Sequence, residues 1–126
     1  MKLEFFEDGF DGGPLVLLYG GEPAEVSLLR EAIHGLAKDT QRLALHELPF
    51  VQSVDGCRLR AMSAERDVGV VLADGPADFE WTLAAASWLQ VAELLDPFCD
   101  GQGSSAFQYL NPVSGAAVIY STDRAW

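Results

Sequence analysis

Apolar and polar positions follow two rhythms along this chain, and the points where one gives way to the other outline its elements. Leu3 to Glu7 is followed by Asp8-Gly9-Phe10-Asp11-Gly12-Gly13-Pro14, a run dense in turn formers. Leu15-Val16-Leu17-Leu18-Tyr19 then runs apolar without alternation, which predicts a strand covered on both faces and an opening hairpin. Gly20-Gly21 breaks that strand. A helix follows, with Pro23 in its first turn and Glu22 and Glu25 near the positive end of its dipole. Val26, Leu29, Ile33 and Leu36 recur at helical spacing as one apolar stripe, with Arg30 and Lys38 on other faces.

Leu43 to Leu48 and Gly56 to Met62 read as a strand pair joined through the turn Val54-Asp55-Gly56, with Pro49 ending or bulging the first strand. The second strand alternates cleanly: Cys57, Leu59 and Ala61 point inward, Arg58 and Arg60 outward. Val68 to Ala73 is a further apolar strand. Asp74-Gly75-Pro76-Ala77-Asp78 carries helix-entrance signals, with Gly75 or Asp78 as cap, and predicts a second helix running to about Leu95. Its apolar residues, including Phe79, Trp81, Trp88, Leu89 and Leu95, cover most of the circumference. Glu80, Ser87, Gln90 and Glu93 form a narrow polar stripe. Such a helix is buried. Pro97 is expected to end it. A Gly/Ser loop from Asp100 to Ser105 leads to a closing hairpin of Ala106 to Leu110 and Ala116 to Thr122. The expected fold is α+β: a single domain over residues 1–126 with a mostly antiparallel sheet and two helices, in the order ββ-α-βββ-α-ββ.

Composition supports a self-sufficient core, with hydrophobic residues at 49% and charged residues at 21% of the 126 positions. No apolar run approaches the roughly 18 residues a membrane span requires. The first eight residues lack a cationic segment followed by an apolar one, so no signal peptide is expected. Cys57 and Cys99 show no zinc or redox spacing, and a cytoplasmic chain with reduced thiols is the consistent expectation.

Charge changes the picture more. Eight Lys and Arg stand against nineteen Asp and Glu, a net −11. Between Arg66 and Arg124 there is no Lys or Arg at all, while Asp67, Asp74, Asp78, Glu80, Glu93, Asp96, Asp100 and Asp123 fall there. A field of that sign excludes nucleic acid and anionic membrane as partners and favours a basic protein.

Candidate chemistry is sparse. A calcium loop opened at Asp8 would need a glutamate where Tyr19 stands, and Gly101 to Ser105 lacks the lysine of a phosphate loop. His46 with Cys57 is the one nucleophile–base pair that can be written, for a small hydrolase, but no motif orients it. The sequence therefore assigns no catalytic residue, no cofactor and no metal.

Two interaction surfaces remain. One is an acidic docking patch of Asp74, Asp78, Glu80, Asp96, Asp100 and Asp123. The other uses Trp81 and Trp88, which lie at helical spacing on the second helix and make homodimerisation through it conceivable. In a variant of that idea, Trp81, Trp88, Phe107 and Tyr109 line a small-ligand pocket beside the same helix in a homo-oligomer. The expectation that combines charge, size and lack of catalytic signature is a non-enzymatic binding protein. Its concrete form is an immunity or antitoxin-like inhibitor whose acidic face covers a basic partner.

Overall fold

The computed structural model describes residues 1–10, 13–39, 41–100, 107–113 and 115–123. The first part of the chain forms β1 (Lys2–Phe10), β2 (Gly13–Tyr19), α1 (Pro23–Leu36), β3 (Arg42–Ala44) and a 3-10 turn, Leu45–Glu47. Then come β4 (Gln52–Ser53), β5 (Arg58–Ala64), β6 (Gly69–Leu72), β7 (Asp78–Ala84), α2 (Ala85–Cys99), β8 (Phe107–Tyr109) and β9 (Ala117–Ser121). The class is α+β. The glycine- and serine-rich stretch 101–106 lies outside the described residues, as do residues 11 and 12 of the first turn and residue 114 of the last.

The strands sort into two mostly antiparallel sheets, ordered β4-β1-β2-β9-β8 and β3-β5-β7-β6. Both terminal hairpins form where the turn residues place them: β1 pairs antiparallel with β2, and β8 with β9. The unbroken apolar run of β2 has the expected cause, since Leu15 to Leu18 are all buried. Val16 and Leu18 face the main core, while Leu15 and Leu17 join Ile119 on the opposite face in a smaller cluster with Phe6, Tyr19 and Ala117.

The four apolar residues of α1's stripe, Val26, Leu29, Ile33 and Leu36, are buried. The helix opens with a reciprocal capping box between Glu22 and Glu25.

Two expectations need correction. Asp78 to Ala84 is a strand, not the start of a helix. Its residues alternate, with Phe79, Trp81 and Leu83 buried and Glu80 exposed. Seven consecutive residues pair in parallel register with β5, setting Phe79 beside Leu59 and Trp81 beside Ala61. Period-two burial and aromatic residues suited to a pleated surface outweigh the helix-entrance signals before it. The block between the helices therefore holds β3 to β7, five strands where three were expected. The second helix starts only at Ala85 and continues through Pro97 to Cys99. A proline in the last turn forfeits one bond, to the carbonyl of the exposed Glu93.

Helices and sheets meet in one core. Phe5 of β1 packs on Phe79 of β7, with ring centroids 4.7 Å apart. Phe98 of α2 packs on Tyr120 of β9 at 4.9 Å. Trp81 of β7 meets Trp88 of α2 edge to face at 4.7 Å. Both indoles are fully buried with their N–H groups satisfied: Trp81 donates to Asn111 Oδ1 at 3.3 Å and Trp88 to the Met62 carbonyl at 3.0 Å. Asn111 in turn donates from Nδ2 to the Ala116 carbonyl, which fastens the β8–β9 connection against the second sheet.

That connection makes one further contact, a bridge between Gly115 and Val70 of β6. Gly115 has φ +103°, and a Cβ there would strike the Val70 carbonyl oxygen. Gly20, at φ +78°, has open space where its Cβ would stand. Gly115→Ala is therefore expected to cost about 2–3 kcal/mol, from left-handed strain together with the clash. Gly20→Ala should cost only about 1 kcal/mol, from strain alone. Urea midpoints of the two variants measure the difference; equal losses would mean the bridge to Val70 contributes nothing.

Candidate interaction surface

The acidic residues take their places from the elements that carry them. On α2, Leu89, Glu93, Asp96 and Asp100 follow one another at steps that keep them on one helix face, and all are exposed. On α1, Arg30, Glu31 and His34 face the same way. Arg30, Glu31, His34, Leu89, Ala92, Glu93 and Asp96 together line a shallow groove between the two helices. One cation sits in it. Arg30 Nη1 donates to Asp96 Oδ1 at 2.7 Å, and its other terminal nitrogen lies 3.6 Å from Glu31 Oε1. The hydrogen bond to Asp96 raises the Arg30 pKa further above neutrality. All these side chains are well exposed, Glu31 at 72% and Asp96 at 53%, so the ion pairs add little to stability.

The helix dipole sharpens the negative character of this end. The last turn of α2 holds no basic residue, and Asp96 and Asp100 stand where the dipole is already negative. At the other end no acidic residue occupies the first turn. Asp67, from the β5–β6 loop, anchors the junction of β7 and α2 there. Asp67 accepts from the Ala84 backbone N–H at 2.8 Å and from the Ser87 hydroxyl at 2.7 Å. These two bonds, the backbone one foremost, hold its carboxyl below the ordinary carboxylate range.

The six carboxylates singled out by sequence do not form one patch. Asp96 and Asp100 lie on the α2 face. Asp78 and Glu80 lie on the outer face of the second sheet, because Asp78 pairs with Arg58 and Glu80 with Arg60 across the β5–β7 ladder. Arg42 joins that face beside Met62. It points away from α2, since Trp81, on the inner face, is the residue that meets Trp88. Asp78 is buried, and its carboxylate accepts from Arg60 Nη1 at 2.6 Å, so its charge is neutralised within the fold. Asp74 lies in the exposed connection before β7, and Asp123 is exposed just beyond β9.

Trp81 and Trp88 are core residues with no exposed surface, and offer nothing to a dimer interface. Nor do they line a pocket with Phe107 and Tyr109, which project from the edge strand β8 at 45% and 42% exposure.

His46 and Cys57 have structural surroundings. The His46 Nδ1 accepts the Leu59 backbone N–H at 3.2 Å, which leaves that nitrogen unavailable as a base. The Cys57 thiol is buried, and burial pushes its pKa up to about 12, with Glu4 and Asp78 adding to the rise. It is a thiol, not a thiolate, at neutral pH.

Among the described residues, no group of three or more His, Cys, Asp or Glu is placed to hold a metal ion. No helix among them is long and apolar enough to cross a membrane. Comparison with protein-family models, with curated proteins and with solved structures finds no match.

The groove pair Arg30–Asp96 escapes sequence reading, since its two members lie 66 positions apart. Asp67 escapes it as well, because it reaches the start of α2 from another loop, 17 positions before Ala84.

Two measurements check these assignments. A carboxylate whose pKa is lower folded than unfolded contributes stability above its unfolded value, and that contribution disappears as pH falls through the folded value. Asp67→Ala should therefore be less stable than the wild type at neutral pH, with the gap closing on acidification into the carboxylate range. A gap independent of pH would contradict a stabilising role for the Asp67 carboxylate in its bonds to Ala84 and Ser87. For Cys57, alkylation of the native protein at pH 7.5 should modify only Cys99, which is half-buried. Cys57 should react only once denaturant is added; rapid labelling of both in the native state would refute its assignment as an inert core thiol.

Proposed function

We propose that this protein is a non-enzymatic binding domain that docks on a basic protein through the carboxylates of the α1–α2 face. In its most concrete form it is an immunity or antitoxin-like inhibitor that covers a cationic active site. The observation that carries this reading is the placement of Asp96 and Asp100 at the negative end of the α2 dipole. Charges of that sign there cost folding stability, roughly 0.3–1 kcal/mol each by the usual magnitude of the effect. Among the described residues, Arg30 is the one Lys or Arg lining the groove that offsets them.

The distribution of charge elsewhere supports the same choice of surface. The outer face of the second sheet carries Arg42, Arg58 and Arg60 along with Asp78 and Glu80, and would present no net negative field. The helical face adds Glu93 of α2 and Glu31 of α1 to Asp96 and Asp100, around the exposed Leu89, so an apolar contact is available inside a charged rim. A field of this kind steers a cationic partner into encounter and loses strength as salt screens it.

The test is retention of a partner from lysate of the source organism by the immobilised protein. The wild type should retain a stoichiometric basic protein that is released as salt is raised. The double variant Glu31→Gln, Glu93→Gln should bind it about tenfold more weakly, mostly through slower association. Arg58→Gln, on the opposite face, should bind as the wild type does. Retention insensitive to both salt and the helix substitutions would overturn the reading.

A further inference from the structure

No further inference is drawn: the strongest candidate, the exposed apolar patch of Val71 and Leu72 on the edge strand β6 with Val68 just before it, carries nothing because no feature of the structure shows what covers it.

Discussion

The contact between Trp81 and Trp88 fixes the relation between the second sheet and the helical layer, and the surface chemistry follows from it. A buried pair of indoles removes a large apolar area from water, and their edge-to-face geometry adds about 0.5–1.5 kcal/mol beyond that burial. Each ring also ends in a hydrogen bond to a different part of the chain, one to Asn111 and one to Met62. An unpaired indole N–H in this core would cost about 1–3 kcal/mol, so both rings have a single favourable orientation. With Trp88 seated, the rotation of α2 about its axis is set. Val91, Ala92 and Leu95 turn inward, and Leu89, Glu93, Asp96 and Asp100 turn to solvent.

The same constraint separates the molecule's charges. Trp81 occupies the inner side of β7, so Asp78 and Glu80, which precede it by odd numbers of positions, must lie on the outer side with the arginines of β5. Neutralisation of Asp78 by Arg60 is thus a consequence of strand pleating and parallel register. Among the described residues, the acids of α2 have no comparable row of cations opposite them. The one ion pair across the helix groove there joins Asp96 to Arg30, and the dipole of their own helix reinforces their sign. A chain of net −11 therefore carries its negative field unevenly.

Sequence pattern revealed those elements whose information is local. The stripe of α1, the apolar run of β2, the alternation of β5 and the turn residues of both terminal hairpins each lie within a few positions of the structure they specify. The passage from β7 into α2 could not be read in the same way. Leu83-Ala84-Ala85-Ala86-Ser87 contains no glycine, proline or asparagine to mark where a strand becomes a helix, and alanine favours the helix throughout. Pro76 and Asp78 resemble a helix entrance although they precede a strand. The seven-residue spacing of Trp81 and Trp88 then matched two helical turns by coincidence. The acidic patch was misplaced for the same reason: with β7 taken as helix, Asp78 and Glu80 fell on the wrong element. Asp67 bonding Ala84 and Ser87 and Arg30 bridging to Asp96 are tertiary contacts, and no local pattern encodes them.

On the proposed reading the helical face, and not the outer face of the second sheet, meets a basic partner. Amide hydrogen exchange, compared between the free protein and its complex with the basic protein it retains, tests this most directly. Docking by the helical face should add protection confined to α1 and α2, centred on the turns bearing Glu31, Glu93 and Asp96, with β5 and β7 unchanged. Protection concentrated on β5 and β7, or spread evenly over the molecule, would contradict it.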